Sequence, residues 1–265
     1  MRIAKFKTDQ NQFARYGIVE DDSVTPIEGD IFGEWKKNSY TLKLEDVTLL
    51  APVMPPNIIA LGFNFIDHAK ESKDKVPKNP AFFLKSTSAL NNPFSDIILP
   101  EMAPSNVDYE AELAIIISKQ AKNIKEEEVK DYILGYTCAN DVSARDCQFS
   151  DPQWARGKSF DTFAPMGPWI ETEIENPDNL KMQSRVNGKV MQDANTSMFV
   201  YNIPKVVSFL SQCMTLFPGT VILTGTPSGC GFARKPPVFL KEGDVVEVEI
   251  EQIGTIRNKV SQESR

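Results

Sequence analysis

The sequence predicts an α+β fold dominated by strands, and three observations carry that prediction. Strand-like runs outnumber helical ones and do not alternate with them, which argues against a doubly wound parallel sheet. The 18 prolines cluster in loops such as Ala103-Pro104, Ala164-Pro165, Gly167-Pro168, Thr226-Pro227 and Pro236-Pro237, as expected where short strands are joined by turns. The 265 residues, 41% hydrophobic and 25% charged, suffice for one large domain with a small companion and a core that needs no staples.

The elements follow in order. Ile3-Ala4-Lys5-Phe6, Tyr16-Gly17-Ile18-Val19 and Val24-Thr25-Pro26-Ile27 read as short strands separated by turns. Ala51-Pro52-Val53-Met54-Pro55-Pro56-Asn57 then places three prolines in five positions, which neither a helix nor a central strand tolerates. That stretch marks a boundary between a small β-rich domain (1–52) and the main domain (53–265). Beyond it, 57–62, 81–84, 97–99, 110–117, 169–173, 181–186, 220–224 and 245–250 read as strands. Two helices are predicted. The first, 124–134, has acids in its first turn (Glu126, Glu127, Glu128) and Gly135 as a stop. The second, 203–215, has Pro204 in its first turn and an apolar face of Val206, Val207, Phe209, Leu210, Cys213 and Met214.

Composition narrows the function classes. The formal charge is −7 and no basic stripe stands out, which argues against a nucleic-acid partner. Charge interrupts the N-terminus before a signal-peptide core forms, and the greasiest runs, such as 113–117, are only strand-sized. Cys138, Cys147, Cys213 and Cys230 show no C-x-x-C spacing, as expected of reduced thiols. The expectation is a cytoplasmic protein with no membrane contact, acting on a small molecule.

Four constellations carry chemistry. In Asp108-Tyr109-Glu110-Ala111-Glu112, an extended chain points Glu110 and Glu112 to the same side. Two adjacent acids at the mouth of an apolar strand repel unless a cation compensates them or one takes a proton. Taken alone, E-x-E more often ends a strand in water. In Asn140-Asp141-Val142-Ser143-Ala144-Arg145-Asp146-Cys147-Gln148, helical spacing would put Asp141, Arg145 and Gln148 on one face. An N-cap with a surface ion pair is the commoner meaning of such a stretch. His68, the chain's one histidine, precedes Glu71 at helical spacing and suits an acid/base pair, although the flanking Lys70, Lys73, Lys75 and Lys78 equally suit an exposed segment. Lastly, Lys158 can balance a developing oxyanion, and Thr226 sits in a Gly/Pro turn.

In their order, these pieces resemble the short bacterial form of the fumarylacetoacetate hydrolase superfamily. The resemblance rests on Gly62-Phe63-Asn64-Phe65-Ile66-Asp67-His68, Asp108-Tyr109-Glu110-Ala111-Glu112-Leu113-Ala114, Asn140-Asp141-Val142-Ser143-Ala144-Arg145-Asp146, Gly157-Lys158-Ser159-Phe160-Asp161, Met214-Thr215-Leu216-Phe217-Pro218-Gly219 and Thr224-Gly225-Thr226-Pro227-Ser228-Gly229. It implies a mixed β-roll with few helices and a small N-terminal domain, a homodimer, and one Mg²⁺ or Mn²⁺ per site. It implies Glu110, Glu112 and Asp141 as metal ligands and His68 with Glu71 as a water-activating pair on a mobile lid. Lys158 matches the active-site lysine; Arg145, Gln148, Thr226 and Lys85 match substrate-side positions. Phe65 where Tyr is frequent, Ser86 after Lys85 where Pro is usual, and the short stretch Asn195-Thr196-Ser197-Met198 depart from the pattern and bear on substrate choice. The activity expected is hydrolysis of a C–C bond in an acylpyruvate-type β-diketo acid. Oxaloacetate decarboxylation and enol–keto isomerisation are alternatives at the same site, and a binding protein without turnover is a third.

Overall fold

A computed structural model describes residues 1–71 and 76–263. Its main strands are β1 (Arg2–Thr8), β2 (Asn11–Glu20), β3 (Ser23–Gly29), β4 (Ile58–Gly62), β5 (Ala81–Lys85), β6 (Ile97–Leu99) and β7 (Ala111–Ile117). They continue with β8 (Ile133–Asn140), β9 (Ala164–Glu171), β10 (Lys181–Val186), β11 (Lys189–Asn195), β12 (Val221–Leu223), β13 (Val245–Ile250) and β14 (Gly254–Gln262). The helices are α1 (Ile66–Glu71), α2 (Arg145–Ser150), α3 (Ala155–Lys158) and α4 (Ile203–Cys213). Strand richness with few helices is the α+β architecture the sequence predicts.

The large sheet runs β3-β2-β1-β9-β8-β7-β12-β4-β5, and a second sheet runs β6-β14-β13-β10-β11. The first three strands continue the large sheet rather than standing apart, because β1 pairs with β9 at Ile3↔Ile170. β7 lies deep in that sheet, between β8 and β12, and every residue of it is buried. Side chains on a strand alternate: Leu113, Ile115 and Ile117 join α4 in one core, while Ala114 and Ile116 join the other. Glu110 and Glu112 fall in register with the Ala114 and Ile116 side.

α4 forms where predicted, with the Asn202 side chain accepting the Lys205 N–H at 3.0 Å and Val206, Val207 and Leu210 buried. The predicted helix 124–134 is instead a 3₁₀ segment, Glu126–Tyr132. Glu128 accepts the Lys125 N–H at 2.8 Å, and Ile133 is drawn into β8 opposite Ile117, so sheet pairing overrides helical periodicity. β11 and β14 were not predicted. In β14 the inward position between Ile256 and Val260 is Asn258, whose side-chain amide donates to the Ser95 carbonyl at 2.7 Å, and this polar residue breaks the apolar alternation. Among the described residues no helix is long and apolar enough to cross a membrane.

Because Ile115 is fully buried between two paired strands, Ile115→Ala should cost about 2–5 kcal/mol. Val190→Ala, at a position 44% exposed, should stay within about 0.5 kcal/mol. Urea midpoints of the two variants check the contrast.

Candidate active site

The start of β7 delivers Glu110 and Glu112, and the turn after β8 delivers Asp141. Asp141 is not on α2, as its spacing to Arg145 suggested; it precedes the short strand Ser143–Ala144, and its N–H donates to the Glu110 carbonyl at 2.9 Å. Oxygens of all three carboxylates lie within 4.8 Å of one another, and all three residues are buried.

Three buried cations face these acids. Lys158 donates to Glu110 at 2.7 Å and to Asp141 at 2.8 Å. It stands at the end of α3, where Gly157 lets the backbone of α2 approach so closely that a Cβ would lie 2.6 Å from the Gln148 nitrogen. Lys85, expected at the substrate, donates to Asp141 at 2.5 Å with its side chain wholly buried. Arg145 donates to Asp108, Gln148 and Glu110, each at 2.7 Å. All three of its nitrogens are engaged within the protein.

Glu112 is treated differently. It accepts the Gly225 N–H at 2.7 Å, from a glycine at φ +92° that a side chain would strain. No cation lies within ion-pair distance of it among the described residues. Burial, then the charges of Asp141 and Glu110, push its carboxyl well above the usual range. For Glu110, burial acts upward but Lys158 and Arg145 outweigh it and hold the carboxyl down at about 2. Burial acts downward on both lysines. Asp141 and Glu110 outweigh it at Lys158, which is raised; at Lys85 burial prevails.

His68 and Glu71 form the second group. Both stand on α1, with His68 Nδ1 3.5 Å from Glu71 Oε2, and His68 is buried rather than exposed. α1 is held down at both ends of its exposed turn. Ser228 Oγ donates to Asp67 at 2.6 Å, and the Gly229 N–H donates to Glu71 at 3.1 Å. Of the segment expected to be a lid, residues 72–75, including Lys73 and Lys75, lie outside the described residues.

A cavity of about 500 Å³ joins the groups, lined by His68, Glu110, Arg145, Gln148, Lys158 and Thr226 and walled by Phe63, Phe83, Phe149, Trp154 and Phe232. Sequence reasoning missed this aromatic wall and also Gln192. The Gln192 oxygen accepts the Ala111 N–H and the Ser184 hydroxyl, both at 2.9 Å. Its nitrogen donates to Thr226 Oγ1 at 2.7 Å and to the Pro227 carbonyl at 2.9 Å. The Ala111 N–H can only donate and the Pro227 carbonyl can only accept, which fixes the sense of the amide. Thr226 Oγ therefore accepts from Gln192 and keeps its own proton for another acceptor. No local signal marks Gln192, because its partner lies 34 residues away.

The donor set fits a hard divalent cation: three buried carboxylates, no sulfur or nitrogen, and one acid without a counter-charge. Glu110, Glu112 and Asp141 would hold it.

Comparison with known proteins shows the family. The family described as Fumarylacetoacetate (FAA) hydrolase C-terminal matches residues 57–261, and the one described as Rv2993c-like, N-terminal matches residues 1–52. The mitochondrial oxaloacetate tautomerase Fahd2a of Rattus norvegicus is 48% identical over 218 residues, covering 81% of this chain and 69% of its own. The 5-carboxymethyl-2-hydroxymuconate delta-isomerase of Mycobacterium smegmatis superposes with a TM-score of 0.89 at 37% identity, covering 99% of this chain and 100% of its own. The maleylpyruvate hydrolase of Sphingobium sp. SYK-6 superposes with a TM-score of 0.82 at 30% identity, covering 99% of this chain and 100% of its own.

The two glutamates should respond oppositely when neutralised. Glu110→Gln leaves Arg145 and Lys158 undercompensated and should destabilise the metal-free protein by about 3–5 kcal/mol. Glu112→Gln keeps an uncharged group where burial and its neighbours already disfavour the carboxylate, and should leave metal-free stability unchanged or higher while abolishing Mg²⁺ uptake. Thermal melts with and without Mg²⁺ check both. Because burial and the charges of Asp141 and Glu110 push Glu112 toward its protonated form, uptake should release a proton and weaken as pH falls. Calorimetry in two buffers of different ionisation enthalpy reads that proton, and Glu112→Gln should remove it.

Proposed function

Because the chain belongs to the fumarylacetoacetate hydrolase family, we propose that it is a divalent-metal-dependent enzyme interconverting the keto and enol forms of a small 2-oxo dicarboxylate, oxaloacetate foremost. One observation carries the reading: His68, paired with Glu71, and Glu110 of the acidic triad line one aromatic-walled cavity of about 500 Å³. Keto–enol exchange needs one group that carries a proton between a carbon and an oxygen, whereas hydrolysis also needs an attacking water. The His68–Glu71 pair meets the first requirement by itself. The tautomerase among the relatives supports the same choice.

Mg²⁺ or Mn²⁺ held by Glu110, Glu112 and Asp141 would chelate the 2-oxo acid and stabilise the enolate. The residues of the chain do the rest. His68 takes the proton from the carbon beside the keto group and returns it to the oxygen, with Glu71 holding the ring. Lys158, kept charged by Glu110 and Asp141, offsets the developing negative charge. Thr226 Oγ, already accepting from Gln192, donates its proton to a substrate carboxylate.

Hydrolysis of an acylpyruvate is the second reading, favoured by the ability of the same His68–Glu71 pair to activate water. Freshly dissolved enol-oxaloacetate and an acylpyruvate, each with Mg²⁺, separate the two. Faster ketonisation without pyruvate formation is expected. Cleavage of the acylpyruvate with no effect on ketonisation would reverse the order of the readings, and pyruvate from oxaloacetate would indicate decarboxylation.

His68→Ala should slow the reaction by about 10²–10⁴-fold while Mg²⁺ uptake survives. Thr226→Val should raise KM by roughly ten- to a hundredfold, the worth of a hydrogen bond to a charged group, with kcat less affected. If Gln192 acts through Thr226, Gln192→Ala should add little to that KM effect in the double variant. Additive effects would refute the relay.

A further inference from the structure

Behind the acid/base pair stands a thiol that the proposed reaction does not use. Cys230 is fully buried, and its Sγ lies 3.9 Å from His68 Nδ1, the same nitrogen that is 3.5 Å from Glu71 Oε2. The three ligand atoms all fall within 4.8 Å of one another. A tetrahedral zinc ion, with bonds of about 2.3 Å to sulfur and about 2.0–2.2 Å to nitrogen and oxygen, holds its sulfur and nitrogen ligands about 3.6 Å apart and its nitrogen and oxygen ligands about 3.4 Å apart. The two spacings from His68 need to contract by only a few tenths of an ångström, and Cys230 and Glu71 start within 4.8 Å of each other. Two of the three groups are also placed by one loop. Glu71 is held by the Gly229 N–H, and Cys230 follows that glycine directly in the chain.

We propose that His68 Nδ1, Glu71 and Cys230 Sγ form a second cation site, for borderline-soft divalent ions such as Zn²⁺, whose occupation switches the enzyme off. Ligand hardness separates it from the acidic triad. A thiolate with an imidazole prefers Zn²⁺ to Mg²⁺, while an all-oxygen set suits Mg²⁺. Both sites border one cavity through His68 and Glu110. On binding, the Cys230 thiol loses its proton to solvent, sulfur bonds to the ion, and the electron pair of Nδ1 is taken. Glu71 then holds the ion instead of the imidazole, and the acid/base pair no longer exists. Three protein ligands leave a tetrahedral ion one position for water. The inhibition rests on the role proposed for His68; the binding does not.

Co²⁺, a coloured stand-in for Zn²⁺, tests this on the full chain in excess Mg²⁺. A near-ultraviolet thiolate-to-cobalt charge-transfer band is expected, displaced by Zn²⁺, retained in Glu112→Gln and absent in Cys230→Ser. Zn²⁺ should inhibit ketonisation without relief by added Mg²⁺. Cys230→Ser should turn over normally and need at least about tenfold more Zn²⁺ for the same inhibition. No thiolate band, or one that persists in Cys230→Ser, overturns the site. A band with undiminished activity upholds the site, overturns the switch, and removes His68 from its proposed role.

Discussion

Four carboxylates, Asp108, Glu110, Glu112 and Asp141, are buried together against only three cations, Lys85, Arg145 and Lys158. Leaving such charges unpaired inside a protein costs several kcal/mol each, and the surrounding structure is arranged around that cost. Arg145 bridges Asp108 and Glu110, Lys158 bridges Glu110 and Asp141, and Lys85 backs Asp141. One negative charge remains over. It falls on Glu112, whose nearest help is a backbone N–H and whose carboxyl is pushed toward its protonated form. The same deficit that makes the metal-free site costly is what makes it select a cation.

Meeting this constraint takes elements far apart in sequence. β7 supplies two acids because its remaining residues bury themselves in two cores at once, anchoring the strand end. β5, α2 and α3 supply one cation each. The loop after β12 supplies the N–H for Glu112 at Gly225, the hydroxyl of Thr226, and the two contacts at Ser228 and Gly229 that hold α1 down. That loop therefore couples the acid/base pair to the triad. Gln192, arriving from the second sheet, ties it to the N–H between the two glutamates.

Much of this was legible in the sequence. The period of two in β7 placed Glu110 and Glu112 side by side, H-x-x-E placed His68 and Glu71 on one helical turn, and the apolar face with its proline start marked α4. Each signal is local, set by the geometry of one strand or one helix. The strand-rich class followed from the same local patterns. What misled was also local. The acids and Val129 of 126–132 have helical spacing, yet that segment is 3₁₀ because Ile133 pairs with Ile117. Asp141 has helical spacing to Arg145, yet the chain spends those residues on a turn and a short strand.

The sequence by itself determined which residues carry charge, which strand is apolar enough to be central, and which side chains share a face. Only the tertiary structure decided what each charge meets: that Arg145 spends two of its nitrogens on protein acids, that Lys85 pairs with Asp141, that Gln192 donates to Thr226, and that Cys230 lies beside His68. These pairings join residues from 34 to 162 positions apart. Their energies depend on burial and on distances of a few ångströms, and neither quantity exists until the sheets have closed on one another.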